Sequence, residues 1–470
     1  MRKSPKIINL FALSLFLLHP QTGSQAASLK PSAKPHHFSK SPKPASQHPP
    51  HIVLLTVDTL RADMLGFSGG PAKTPHIDAL AAESWVFANC ISASMLTSPA
   101  HVSMFTSLYP RDHGVYDNAS GVDDNITTLA THLKSFGYAT GALINFPHLN
   151  PEISNLGLGF DELIPARQEE RRAELTTSMA LNIFDRLPEE KSKFLWLHYI
   201  DPHAPYDAPH HKHDNKESQT PIAKAIDSAP GFQKHNNWFK QAFTTYKTTE
   251  ELIARYIAEI EHFDRGLGKL IDGLKKRGIY ENTIFVLTSD HGENLGEHNL
   301  YFHHGGLYNS TVHVPLIIKA PGRLGLKDFS LTQNIDIAPT ILDLASMPYW
   351  QGMRGHSLAT QIDGKHAPRN FAFSEHMHGQ LVSIRTLNHS LILHRENSDQ
   401  FPNYPFQAGQ IEFFDLLKDP KERKTLNPDN SIAKNLKAIL EKFLKEGPQW
   451  QSQQQFALAE QSLRALGYIE

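Results

Sequence analysis

Two hydrophobic rhythms alternate along this chain. "HIVLLTVDTL" (51–60), "KFLWLHYIDPH" (193–203) and "NTIFVLTSDHGE" (282–293) are short, nearly unbroken apolar runs that end in polar residues. Runs of this kind suit strands covered on both faces, which need no polar alternation. In "ELIARYIAEIEHFDRGLGKLIDGLKKRG" (251–278), by contrast, Ile257, Ile260, Phe263, Leu267, Leu270, Ile271 and Leu274 recur at helical spacing. They form one apolar stripe, and Gly278 closes the helix. Strands alternating with amphipathic helices predict an α/β fold with a mainly parallel sheet flanked by helices. No internal repeat is found.

In such sheets ligands bind beyond the carboxyl ends of the strands, where the polar residues collect. The first run ends in Asp58 and Thr59, followed by Arg61; the second carries His198, Asp201 and His203; the third ends in Asp290, His291, Gly292 and Glu293. Taken singly, an Asp at a strand end serves as a helix cap or turn residue, and a lone His as an ordinary hydrogen-bonding side chain. Two acidic strand ends, one with an adjacent imidazole, together make an oxygen-and-nitrogen set suited to one divalent cation.

The amino terminus has the form of an export signal. Arg2, Lys3 and Lys6 precede the apolar stretch "IINLFALSLFLL", and "SQAAS" offers small residues for cleavage near Ala26 or Ala27. The stretch is short of the roughly 20 apolar residues that span a bilayer. Residues 1–27 are therefore expected to be a signal peptide, and the mature protein to be periplasmic or secreted with no stable membrane span. The Pro-, Ser- and Lys-rich segment 28–50 reads as an extended linker. Cys90 is the only cysteine, so export brings no intramolecular disulfide. With 46 Lys plus Arg against 48 Asp plus Glu, the charge balance excludes a nucleic-acid partner of the usual basic kind. The 28 histidines are numerous, but His210, His211 and His213 in "PHHKHD" read as a solvated loop.

The stretch from "IVLLTVDTLRADMLGF" to "CISASMLTSPAHVSMFTSLYPRDHGV" resembles the amino-terminal signature of the sulfatase family, in the alkaline phosphatase superfamily. "FLWLHYIDPHAPY", "IFVLTSDHGENLGEH", "HHGGLYNSTVHVPLII" and "NIDIAPTILDLASM" are similar to its later motifs, in the same order. "VSIRTLNHSLIL" and "EFFDLLKDPKERKTL" resemble its terminal subdomain. The resemblance implies a catalytic domain over 51–344 and a smaller α+β C-terminal subdomain over 345–470. It also implies one divalent metal ion (Ca, Mg or Mn) held by Asp58, Asp290, His291 and the residue at the nucleophile position, which is Thr97. His203 resembles a substrate-binding histidine, and His304 stands where many sulfatases have a substrate-binding lysine. Thr59 replaces an Asp common in the family.

Two departures fall at the nucleophile. The family's Cys, matured to formylglycine, is Thr97, and the following Arg is His101. A threonine cannot be oxidised to an aldehyde, but its hydroxyl is a competent nucleophile when a metal lowers its pKa. Other branches of the superfamily use Thr in this way, through a phosphothreonine. His101 either relays a proton or packs the helix behind the nucleophile. His113 and Asn118 either line the pocket or form a turn, and Glu293, Glu297 and His298 read as a solvated loop.

The expected function is metal-dependent hydrolysis of a sulfate or phosphate ester, on a small molecule, a glycan or a lipid. Thr97, His101, His203 and His304 are the catalytic candidates, and phosphoester chemistry is favoured mechanistically. The alternatives are a phosphoryl-group transferase of the same superfamily and a catalytically inactive binding protein. Specificity for the organic part is assigned to loops such as 207–244.

Overall fold

The computed structural model describes residues 49–167, 171–207, 220–223, 241–242, 244–397 and 405–446. The expected signal peptide, nearly all of the linker, His210, His211, His213 and most of the 207–244 loop lie outside the described residues.

The three apolar runs become the centre of a nine-stranded sheet. β1 (His51–Val57), β2 (Trp85–Ile91), β3 (Ala139–Leu143), β4 (Glu162–Ile164), β5 (Lys193–Tyr199), β6 (Thr283–Ser289), β7 (His313–Val314), β8 (Leu316–Lys319) and β9 (Leu326–Gln333) make it up, in the order β4-β3-β5-β1-β6-β8-β2-β7 with β9 beside β2. The five strands from β4 to β6 pair in parallel, and β8 runs antiparallel to both β6 and β2. The expected α/β fold, mainly parallel and flanked by helices, is the one observed.

Both faces of β1 are covered, and alternate residues enter different cores. Val53, Leu55 and Val57 pack with the long Thr249–Lys276 helix, whose predicted stripe is buried. Gly278, at φ 70°, ends that helix in the left-handed region that glycine enters without a Cβ penalty. Ile52 and Leu54 pack on the other face, with Val102, Met104 and Phe105 of the Thr97–Thr106 helix. By the same alternation Asp58, His198 and Asp290 continue that second face, on the side where Thr97 begins its helix.

A second sheet of four antiparallel strands, β10 (Ala372–His376), β11 (Leu381–Arg385), β12 (His389–His394) and β13 (Ile411–Asp415), carries the Ser431–Lys445 helix. This is the smaller α+β subdomain expected near the C-terminus. It is pinned to the main sheet at several points. The Glu375 amide donates to the Ala93 carbonyl at 2.9 Å. Arg111 donates to the Phe443 and Leu444 carbonyls at the end of that helix, and its guanidinium lies 4.7 Å from the Phe443 ring centroid. Phe443 in turn stacks on Phe373 at 3.9 Å. No helix among the described residues is long and apolar enough to cross a membrane.

Glu375 lies buried in this junction, 3.5 Å from Arg111 Nε. Burial pushes its carboxyl from 4.5 up to about 7, although Arg111 pulls the other way. The unfolded chain loses this proton near 4.5 while the folded chain keeps it to about 7, so the unfolded state binds fewer protons in that window. The contribution of Glu375 to stability therefore falls as pH rises from 4.5 to about 7 and is flat above, with a total of up to about 3 kcal/mol. Denaturant melts of wild type and Glu375→Gln across this range should diverge in favour of Gln as pH rises. Parallel curves at every pH would exclude the assignment.

Candidate active site

Three polar strand ends and one helix start converge on the second face of the sheet. Asp58, Asp290 and His291 are each fully buried, and one ligand atom from each lies within 4.8 Å of the other two. His291 Nε2 is 3.4 Å from Asp290 Oδ2, 4.0 Å from Asp58 Oδ1 and 3.3 Å from Thr97 Oγ1. On its other side His291 Nδ1 lies 3.0 Å from the Gly292 carbonyl, which can only accept. Nδ1 therefore carries the proton, and the Nε2 lone pair points at Asp58, Asp290 and Thr97. Burial pushes His291 down to about 4, so the imidazole is neutral at physiological pH.

These residues fit a divalent cation on structural grounds. Neither Asp58 oxygen nor Asp290 Oδ2 has a hydrogen-bond partner among the described residues. Burial and the neighbouring Asp290 push the Asp58 carboxyl well above the usual carboxylate range. An unpaired buried carboxylate costs several kcal/mol, and a cation between the two removes the desolvation and repulsion together.

The loops that hold this cluster are stitched across the two central strands. Ser289 Oγ lies 2.6 Å from both the Val57 and His291 carbonyls and accepts from the Leu60 amide at 3.0 Å. Thr59 is left-handed, at φ 58°, a conformation that a β-branched residue adopts at a cost of order 1–3 kcal/mol. Its amide donates to Asp290 Oδ1 at 3.3 Å and its carbonyl accepts from Tyr256 Oη at 2.7 Å, which hold it there. Its own hydroxyl is buried with no partner among the described residues. Gly292 admits no side chain, because a Cβ there would lie 2.1 Å from the Ser310 carbonyl oxygen.

The other candidates fall into two groups. His101 lies behind Thr97, fully buried, with Nδ1 2.8 Å from the Thr97 carbonyl and 3.9 Å from Asp290 Oδ2. Burial pushes it down to about 4. His203 and His304 lie in front, their ring centroids 5.7 Å apart, with His304 4.4 Å from the ring of His291. Although burial opposes it, the Glu293 carboxylate 3.2 Å from His304 Nδ1 raises His304 above the ordinary histidine value. His203 is lowered by burial.

Glu293 was expected in a solvated loop and is instead 1% exposed, with Oε2 accepting from Tyr206 Oη at 3.2 Å. The reason is tertiary: Arg61 donates to the Glu293 carbonyl at 2.9 Å and pairs with Glu297 at 3.0 Å, which folds the loop inward. Asn118 Oδ1 accepts from the Ser98 amide at 2.9 Å, directly beside Thr97. His113 bonds Ser103 Oγ at 2.9 Å and the Val115 amide at 3.1 Å, both within the helix support. His198, noted at a strand end but assigned no role, stands 3.4 Å from Asp58 Oδ2. The available signal was a single imidazole inside a strand that is buried along its whole length.

The sheet order and the buried carboxylates at its strand ends define an α/β domain whose polar site lies beyond the carboxyl ends of the central strands. The chain belongs to the sulfatase family, whose model matches residues 50–347; a model described as N-sulphoglucosamine sulphohydrolase, C-terminal, matches 296–449. It is 25% identical to an arylsulfatase of Clostridium perfringens over 84% of this chain and 94% of that protein. It is 26% identical to a choline-sulfatase of Rhizobium meliloti, covering 79% and 83%. Among solved structures, the phosphonate monoester hydrolase of Agrobacterium radiobacter superposes with a TM-score of 0.67 at 20% identity, over 84% of this chain and 95% of that one. The protein is accordingly an ester hydrolase.

Replacing Asp58 by Asn removes one of two mutually repelling buried carboxylates. In chelator, Asp58→Asn should melt at or above the wild-type temperature. Wild type should gain about 2.7 kcal/mol with a divalent cation at 100 times its Kd, and the variant should gain almost nothing. An equal gain in both, read by thermal melts with calcium, magnesium and manganese, would remove Asp58 from the site.

Proposed function

We propose that this hydrolase cleaves phosphate esters better than sulfate esters, with Thr97 as the covalent nucleophile. The observation that carries the reading is the Thr97 hydroxyl, 3.3 Å from the His291 lone pair at the edge of the Asp58, Asp290 and His291 cluster. Asp58, Asp290, His291 and Thr97 would hold a divalent cation, which would supply a lowered pKa for the hydroxyl and neutralisation of charge on the ester.

The residues divide the work. The Thr97 hydroxyl gives up its proton to solvent on activation, Oγ1 attacks the phosphorus in line, and the bond to the leaving oxygen breaks. His304, whose proton affinity Glu293 raises, gives that oxygen its proton, while His203 binds the ester beside it. Water, giving a proton to the now neutral His304, then attacks the phosphothreonine, releases phosphate and restores the Thr97 oxygen. A sulfothreonine lacks the exit that an aldehyde hydrate provides, so phosphorus is the better centre for this nucleophile. His101 bonds the Thr97 carbonyl and holds the first turn of the helix.

Arginine and lysines before a short apolar stretch, followed by small residues, support export. Amino-terminal sequencing of the purified mature protein should begin near Ala27 or Ser28; a membrane-bound chain starting at Met1 would contradict cleavage.

Thr97→Ala should lose about 10³-fold or more in turnover and still bind the cation, since the carboxylates and His291 remain. Thr97→Ser should keep a measurable fraction. Rapid quench with a phosphomonoester, followed by peptide mass spectrometry, should find phosphate on Thr97. Strong sulfate-ester hydrolysis without phosphoesterase activity, or full turnover in Thr97→Ala, would overturn the mechanism.

A further inference from the structure

We propose that His198 is a positioning residue that orients the Asp58 carboxylate, taking one of its oxygens so that the other faces the cation. The proposal rests on the reading of Asp58, Asp290 and His291 as a cation site and adds a residue that this set does not contain.

The geometry begins with strand register. β5 lies parallel to β1 with Thr56 opposite His198 and Val57 opposite Tyr199, and the Asp58 amide continues the ladder to the Tyr199 carbonyl at 2.9 Å. Asp58 is two residues beyond Thr56, so the carboxylate and the imidazole project from the same face of neighbouring strands. His198 Nε2 is then 3.4 Å from Asp58 Oδ2, while Oδ1 is the oxygen 4.0 Å from His291 Nε2. The two carboxylate oxygens are thus turned to different neighbours, one to an imidazole behind and one toward the cluster.

Both groups are 0% exposed. Neither ring nitrogen of His198 and neither oxygen of Asp58 has a hydrogen-bond partner among the described residues. A buried polar ring that bonds nothing is costly, and a strand that already carries Phe194 and Trp196 on this face could hold an apolar side chain instead. Nε2 and Oδ2 lie 3.4 Å apart, so an Nε2–H turned toward Oδ2 would satisfy one atom of each residue at once. The backbone on which His198 rides is fixed from below: Asn145 Nδ2 donates to the His198 carbonyl at 2.5 Å and to Thr176 Oγ1 at 2.9 Å. The ring therefore approaches Asp58 from an anchored strand, which is what an outer residue needs to hold a ligand in one orientation.

The test uses the full chain stripped with chelator, and manganese as the probe. Manganese affinity is read from the free-ion electron paramagnetic resonance signal, and folding from the melting temperature in chelator. His198→Met keeps the volume and removes the donor; its manganese Kd should weaken by about 10- to 100-fold, with the melting temperature in chelator equal to or above that of wild type. His198→Gln keeps an N–H donor at similar reach and should recover most of the loss. A Met variant that binds manganese as tightly as wild type, or a Gln variant no better than Met, overturns the proposal and leaves the cation site standing. Wild type that binds no manganese, calcium or magnesium overturns the cation reading, and the role of His198 falls with it.

Discussion

Two carboxylates buried within reach of each other, three of their four oxygens unbonded among the described residues, set the terms for the rest of this molecule. Neither Asp58 nor Asp290 is exposed, and each ends a central strand of the large sheet. A pair of this kind destabilises the chain that carries it. It persists because two hydrophobic cores clamp β1, β5 and β6 from both faces, so the strand ends cannot separate to admit water. The stability of the sheet is what holds the site in a state its own electrostatics oppose, and a cation reverses that opposition.

The same constraint explains the irregular backbone around the pair. Thr59 turns left-handed immediately after Asp58, which aims its amide at Asp290. Arg61 then reaches across to Glu293 and Glu297 and turns their loop inward. Glu293, buried by that turn, meets His304 and raises its proton affinity, while Tyr206 bonds the other oxygen. Burial thereby lowers the proton affinity of one imidazole, His291, while a carboxylate raises that of another, His304, 4.4 Å away between ring centroids. Their separate environments set those two proton affinities.

The small sheet takes part indirectly. Tyr308, four residues after His304, donates to Glu412 of β13 at 2.8 Å, and Asn309 donates its amide to Glu422 at 2.6 Å. Arg385 of β11 pairs with Glu422 at 2.8 Å. The segment that carries His304 is thus tied at its far end to the second sheet, and residues far apart in sequence fix one side of the site.

The sequence by itself determined the α/β fold and the places where its strands end. Unbroken apolar runs and a helical stripe are local patterns, legible without any partner. Asp58, Thr97, Asp290 and His291 could be singled out because each sits at a strand end or beside a turn with recognisable neighbours. Other features had no local signature. His198 reads as one histidine in an apolar strand until the register of β5 against β1 sets it beside Asp58. Glu293 reads as solvated until Arg61, far away in the chain, folds its loop inward. The opposite shifts in proton affinity of His291 and His304 depend on burial and on a carboxylate neighbour, both products of tertiary packing. Side-chain identity is written locally, whereas proton affinity and hydrogen-bond supply depend on what the fold brings within a few ångströms, and only the tertiary structure decided that.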